Sequence, residues 1–370
     1  MTKLSLKALS AATIAFACWS RDPAPQNPQQ GPIGGYAPPD FDFERACDGG
    51  WEYGTTDVDA RKHVSFPETV PVGCFSRVAY SAGTERVIGV EAPLPGCGYP
   101  DAGASAALLA RAAVYQQLAD GPPLARGAKV PMELACELPD EVRRAAARAN
   151  ARTLRSYAGA ASAELERYPY AVAGTFGFGS PDQNESVLLH WLPGEPCVEL
   201  SPRQLEILDV NVVRAQRISE AYKGGVAPLV SGSGGAVHGD LIEAFMLGFL
   251  AHCQGGVPED RILYDPCADH THTNFRNTSA LMTGMGARFA YLVTDDSLQS
   301  MYMQEWTFFD LMGGSIDQRS LRDFGYLVGA WRQASVQMEA GFWYTPYRFW
   351  AEPRSGRGSF TCTGDIPFAP

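Results

Sequence analysis

No two cysteines stand in a Cys-x-x-Cys pair, so a zinc knuckle or a thioredoxin-type redox site has no basis in this chain. Downstream of the N-terminus there is no apolar run of the roughly 20 residues that a membrane-spanning helix needs. The best candidate, Leu241 to Cys253, is short and carries Glu243 and His252, which marks it as a buried amphipathic helix. Cations are in the minority: 30 Lys and Arg stand against 41 Asp and Glu, a net charge of −11. Nucleic acid and anionic membrane surfaces both reward clustered cations, so no nucleic-acid partner is expected. Low complexity is excluded too, because 38 Gly and 27 Pro among 370 residues are too few, and no internal repeat is present.

What remains is the composition of a folded protein, 45% hydrophobic and 19% charged, long enough for one large core or two ordinary ones. Residues 1–18 read as a secretion signal. Lys3 and Lys7 make a positive start, Ala8 to Ala17 a short apolar stretch, and Ala15-Phe16-Ala17 the small-x-small pattern of a cleavage site. Cys18 follows directly, which suits lipidation; Ala15, where a lipoprotein signal usually has Leu, leaves simple cleavage as the alternative. Residues 19–40 hold Pro23, Pro25, Pro28, Pro32, Pro38 and Pro39 among Gln, Asn and Gly, the composition of a flexible tether. These segments predict an exported protein, in the periplasm or held to the cell envelope through a lipid anchor. Apart from Cys18, an even set of cysteines remains: Cys47, Cys74, Cys97, Cys136, Cys197, Cys253, Cys267 and Cys362. In an exported chain this fits disulfides, whose connectivity is left open.

Residues 41–185 predict an irregular and helical region, with a strand at Arg86 to Glu91, a helix from Ala104 to Leu118 and a longer helix opened by Pro139-Asp140. Residues 186–370 predict an α/β domain. Strands are expected at Ser186 to Trp191, Ala227 to Val230, Arg261 to Asp265 and Arg288 to Thr294. Between and after them come helices at Ser201 to Lys223, broken near Asp209, Leu241 to Cys253, Asn274 to Met285, and Ser297 to Met312. Strands separated by helices imply parallel βαβ units, whose ligands bind beyond the carboxyl ends of the strands.

Three constellations fall at those ends. Ser231-Gly232-Ser233-Gly234-Gly235 suits an anion held by backbone amides, or a plain tight turn. It lacks the Lys-Ser/Thr of a phosphate-binding Walker loop and the Gly-x-Ser-x-Gly of a nucleophile elbow. Asp265 to Asn274, continuing through Arg276, Asn277 and Thr278, is dense in polar groups for ligand contact, helix capping or a metal site on His270 and His272. Thr294-Asp295-Asp296 offers paired carboxylates for base, metal or ribose chemistry, or a helix cap. Glu243, Arg217 and His238 could reach the same crevice. The aromatic stretch from Phe342 to Trp350 reads as core or as a sugar-stacking surface.

From Ser186 to about Met312 the chain resembles the ElyC/SanA/YdcF family. The likeness is carried by Arg217 with Ala221, Gly224-Gly225, Pro228, Ser231 and Gly234-Gly235, then by Glu243-Ala244, Gly256-Val257-Pro258 with Ile262, Thr273 to Asn277, and Val293-Thr294. Two positions depart from the pattern: Arg276 stands where the family has an acidic residue, and Asp295 to Gln299 where it has a His and an Arg. The glycine-rich loop after the first strand is expected at Pro193 to Pro196. The resemblance implies a three-layer Rossmann-like parallel sheet with a pocket at the strand ends, and S-adenosylmethionine or a nucleotide as cofactor. Its pocket candidates are Arg217, Ser231, Gly234, Gly235, Glu243, Asn277 and Thr294. With Ser233 and Asp295 these form the expected binding set for a small phosphate-bearing or nucleotide-like ligand, with a role in envelope or peptidoglycan metabolism. The alternatives are a scaffolding protein without catalysis and, third, a metal-dependent hydrolase using His238, His270, His272 and Asp295. No catalytic residue and no metal ligand is assigned.

Overall fold

The computed structural model describes residues 77–81, 85–90, 98–99, 104–164, 167–295, 298–303, 314–324, 328–335, 340–349 and 365–368. The segments expected to be a secretion signal and a tether (residues 1–40), together with Cys47, Cys74, Cys97, Cys362 and Asp296, lie outside the described residues.

A short antiparallel pair comes first, β1 (Val78–Tyr80) with β2 (Val87–Val90). Helix α1 (Ala104–Asp120), strand β3 (Lys129–Pro131) and helix α2 (Asp140–Glu164) follow, and α2 begins at the expected Asp140. The two helices pack together across buried alanines such as Ala112, Ala146 and Ala149. Small side chains allow that close approach and leave no polar group to satisfy.

The sheet is built from β4 (Val172–Phe176), then, after α3 (Pro202–Leu208) and α4 (Val210–Lys223), from β5 (Leu229–Ser233). Helix α5 (Glu243–Phe249) leads to β6 (Ile262–Asp265), α6 (Thr271–Gly284) to β7 (Ala290–Val293). Beyond α7 (Leu298–Met303) and α8 (Ile316–Asp323) come β8 (Val328–Gln333), β9 (Gly341–Phe349) and β10 (Asp365–Pro367). The six-stranded order is β6-β5-β4-β7-β9-β8. The first four strands are parallel, and β9 and β8 extend them antiparallel. Strand β10 pairs instead with β3.

Side-chain alternation sorts the layers. A Cβ on Gly232 would meet Ala244 and Leu247 of α5, while its neighbour Ser233 reaches Asn274 of α6. Helices therefore cover both faces, the three-layer Rossmann-like α/β architecture with a largely helical N-terminal extension. The edge strand β6 is closed by α2: the Asn150 amide donates to the Tyr264 carbonyl at 3.0 Å and accepts from the Tyr264 N–H at 2.8 Å. Thr153 donates to the Ile262 carbonyl at 2.7 Å.

The sheet differs from expectation at its first strand. Ser186 to Trp191 is not a strand; Val187 to His190 form turns, started by Ser186, whose Oγ accepts from the Leu188 N–H at 3.2 Å. Its apolar residues are buried for another reason: Leu188 and Trp191 plug into the core, Trp191 edge-on to Phe249 at 5.2 Å between ring centroids. A six-residue apolar run carries too little periodicity to separate these cases. The first parallel strand is β4, inside the stretch expected to be helical and irregular, so the sheet begins before Ser186. Its glycine loop is accordingly Gly177-Phe178-Gly179 rather than Pro193 to Pro196. Gly174 weakens the strand signal, yet the packing requires it, since a Cβ there would lie 2.8 Å from Ser231 Oγ and 3.1 Å from Leu292.

Other expectations match closely. The break near Asp209 is real: its φ of +40° and ψ of −120° separate α3 from α4, a backbone that non-glycine residues rarely adopt. In the aromatic stretch, Phe342 and Tyr344 are core residues of β9. Two disulfides, Cys136–Cys267 and Cys197–Cys253, join distant segments. Among the described residues no helix is long and apolar enough to cross a membrane.

Candidate functional site

The carboxyl ends of β4, β5, β6 and β7 converge as the parallel register requires. Ser231 to Ser233, expected in the loop, are the last residues of β5. Beyond them Gly234 donates to the Asp265 carbonyl at 2.9 Å and Gly235 to the Ala268 carbonyl at 2.6 Å, so the turn after β5 and the segment before α6 are bound together. Between these ends lies a cavity of about 600 Å³, lined by Gly177, Phe178, Gly179, His238, Glu243, Asp269, His270, Thr271, Asn274, Gln299, Tyr302 and Arg319 among others. A second cavity of about 740 Å³ adjoins it, sharing Val237, Ala268 and Asp269 and bounded by Leu188 to Leu192 and the start of α2.

Glu243, the first residue of α5, is the one member of the expected binding set that lines the first cavity. Its carboxyl is buried between two glycine loops: a Cβ at Gly177 would collide with it, and one at Gly234 would lie 2.6 Å from Oε2. Burial raises its pKa above the ordinary carboxylate value, and His238, whose Nδ1 sits 3.4 Å from Oε1, pulls it back down. The His238 ring needs a bare Gly179 beside it, because a Cβ there would strike the imidazole.

The remaining expected residues support the crevice from behind. Ser231 lies within β5 against Gly174. Asn277, fully buried, donates to Asp265 at 2.9 Å. The Thr294 carbonyl accepts from Arg217 at 2.6 Å, and Arg217 pairs with Glu85 at 2.6 Å. Arg217 thus ties the end of β7 to the β1–β2 hairpin and does not line the cavity. Gly234 and Gly235, expected to offer free amides to an anion, spend both on Asp265 and Ala268, and the first amides of α5 are also bonded: Glu243 to Gly235 at 3.4 Å and Ala244 to Gly234 at 2.8 Å. The glycines serve turn geometry and the close approach of Glu243. Gly234 holds a φ of +144°, a conformation glycine adopts without penalty.

Four further groups complete the crevice; reasoning from sequence passed over Arg214, Asn211 and Arg319 and named Asp265 only as the first residue of the polar segment. Arg214 is sealed in the protein, donating to the carbonyls of Phe176 at 2.7 Å and Gly177 at 3.1 Å and pairing with Asp295 at 3.1 Å. One turn earlier, Asn211 both donates to the Phe178 carbonyl (2.8 Å) and accepts from its N–H (2.9 Å). Asn211, Arg214 and Arg217 recur every third residue, so one face of α4 pins the ends of β4 and β7; that spacing was the available signal. Asp265, the last residue of β6, is fully buried and accepts from Ser233 (2.5 Å), Asn277 and the Cys267 N–H (3.1 Å). Desolvation nevertheless lifts its pKa to about 7. Fourth, Arg319 of α8 lines the cavity, its Nε buried with no hydrogen-bond partner and with no carboxylate paired to it among the described residues.

The rings of His270 and His272 stack on each other at 5.7 Å between centroids. His272 Nε2 lies 3.0 Å from Asp323 and its ring stacks on Phe324 at 5.2 Å; burial lowers its pKa to about 4. Thr273 Oγ1 accepts from the His270 N–H at 2.8 Å and donates to Asp269 at 2.7 Å, so part of the polar segment caps α6. The one cluster of metal-ligating groups among the described residues, Cys197, His252 and Cys253, has its two cysteines joined in a disulfide. Comparison with family models, with curated proteins and with solved structures finds no match to this chain.

Proposed function

We propose that this chain is an exported, envelope-associated protein resembling the ElyC/SanA/YdcF family, which binds a small anionic ligand, phosphate-bearing or nucleotide-like, in the cavity at its strand ends. The observation that carries this reading is Arg319, a cation lining the cavity without a carboxylate partner among the described residues. Its guanidinium carbon lies 5.8 Å from the Tyr302 ring centroid, a weak compensation for a charge partly withdrawn from water, and an anion entering the cavity would neutralise it. The glycine amides being engaged, Arg319 replaces them as the anion-holding group, with His238 and His270 on the opposing loops. Glu243 and Asp269 supply acceptors for ribose hydroxyls or for a cationic centre. S-adenosylmethionine carries both kinds of group: a carboxylate for Arg319, and a sulfonium and an ammonium for the two acids. The two disulfides support an oxidising compartment, consistent with Cys18 as the site of a lipid anchor.

Thermal-shift titration with inorganic phosphate, a nucleoside triphosphate and S-adenosylmethionine tests the reading. A ligand at 100 times its Kd stabilises the folded state by about 2.7 kcal/mol. We expect at least one of the three to raise Tm, and Arg319→Ala to abolish that rise. No shift with any of them, or an equal shift in the variant, rejects the proposal and favours scaffolding. Mass spectrometry of the mature N-terminus distinguishes an acylated Cys18 from a simply cleaved one.

A further inference from the structure

The Ser233 hydroxyl has two oxygens within bonding distance, Asp265 Oδ2 at 2.5 Å and Asn274 Oδ1 at 2.6 Å. A hydroxyl carries a single hydrogen, so it cannot donate to both. One arrangement that satisfies the geometry has a neutral Asp265 donating to Ser233 and Ser233 donating to Asn274 Oδ1. With an ionised Asp265, Ser233 must turn its hydrogen back to the carboxylate, and Asn274 must rotate its amide to offer Nδ2 to Ser233. Asn274 is only 6% exposed and lines the cavity, so whichever end of its amide is turned away from Ser233 is the end a ligand meets.

We propose that Asn274 is a specificity-determining residue of the cavity, and that the proton on Asp265 sets through Ser233 whether it presents an N–H donor or a carbonyl acceptor. With Asp265 neutral, the amide N–H groups face the cavity and select an acceptor oxygen, as on a phosphate or a carbonyl. With Asp265 ionised, the Asn274 oxygen faces the cavity and selects a hydroxyl or an amine. The supporting geometry is built in. Asp265 Oδ1 is fixed by Asn277 and the Cys267 N–H, which leaves Oδ2 as the oxygen that addresses Ser233.

Burial sets the working range, raising the Asp265 pKa to about 7, and the three hydrogen bonds act against it. From the turn beside β3, Glu133 pushes it further upward, while Glu133 is itself paired with Arg111. On the α6 side Arg276 bonds Asn277 at 3.0 Å. Around the Asn274 end stand Glu243 and His238 from α5 and its approach, Asp269 and His270 from the loop before α6, and Arg319 from α8.

The inference rests on the cavity being a ligand site, and its test reads Asn274 without any ligand, so the two can fail separately. In the full chain labelled with ¹³C-aspartate and ¹⁵N-asparagine, we expect the Asp265 carboxyl resonance to titrate near neutral pH. The Asn274 side-chain amide resonances should move with the same midpoint. Ser233→Ala should leave Asp265 titrating while uncoupling Asn274 from it. An Asn274 amide that stays unmoved through the Asp265 midpoint overturns the proposal, and so does an Asp265 that remains ionised down to pH 4. Both of these outcomes are observed in the wild-type protein, whatever the variant's stability.

Discussion

Arg214 and Asp295 form an ion pair at 3.1 Å with their side chains 0% and 4% exposed, joining α4 to the loop after β7. Removing one member of a buried pair strands the other charge and costs about 3–5 kcal/mol. We expect Arg214→Ala to lower stability on that order in urea denaturation. Arg214→Lys should not restore it, because one ammonium cannot reach Asp295 and the Phe176 and Gly177 carbonyls together in the fork geometry of a guanidinium. A variant with the stability of wild type removes the pair from any role in organising the strand ends.

The Gly177 loop faces Glu243 so closely that overpacking should follow any side chain there. Gly177→Ala is expected to cost about 1–3 kcal/mol. The conflict involves the Glu243 Cβ as well as its carboxylate, so Glu243→Ala should not rescue it. Full rescue in the double variant contradicts that geometry.

Asp265 gives stability a pH slope whose sign is fixed. Its pKa, near 4 in an unfolded chain, is about 7 in the fold, so between those values the native state holds a proton that the unfolded state has lost. Stability therefore falls as pH rises from about 4 to 7 and is level above, by a few kcal/mol at most. Asp265→Asn should flatten this slope, as measured by denaturation at pH 5 and pH 8. An unchanged slope in the variant rejects the assignment.

His272 acts in the opposite sense over an overlapping range. Its pKa of about 4 in the fold lies below the ordinary 6.5. The unfolded chain takes up a proton first, and stability is lost as pH drops from about 6.5 to 4. His272→Gln should remove that acid-side loss. The two slopes partly cancel in wild type, so the single variants, compared at pH 4.5 and 7, reveal what the parent conceals.

The disulfides link residues 131 and 56 positions apart. Loss of a native bridge typically costs about 2–5 kcal/mol, so full reduction should lower Tm markedly. Peptide mapping without reductant should recover Cys136 with Cys267, and Cys197 with Cys253; other pairings contradict the fold.

Legibility in the sequence followed the physics of each segment. Strands β6 and β7 are largely apolar runs buried on both faces and bounded by polar or glycine-rich turns, so they could be read directly. Strand β5 was read only in part, because its last three residues, Ser231 to Ser233, look like the turn that follows a strand. Asp209 announced its break because a polar residue interrupts an apolar helical period. Strand β4 was hidden by Gly174, whose lack of a side chain weakens every strand signal while the packing demands it. Leu188 and Trp191 imitated a strand because burial alone does not distinguish a plugged turn from a pleat. In the crevice, Glu243 was legible as an acid opening an apolar helix. Arg319 was not, since its place depends on how a distant helix returns over the strand ends. The SGSGG amides show the limit from the other side: sequence reveals which groups exist, and only three dimensions reveal which are already bonded.

The amide of Asn150 mimics a neighbouring strand, occupying the Tyr264 N–H and carbonyl that would otherwise face outward. The helical extension thereby acts as a permanent stopper on one margin of the sheet. A fragment trimmed to start at β4 would uncover Ile262 to Asp265 as a raw template, and such margins recruit other chains. The extension thus protects the solubility of everything that follows it.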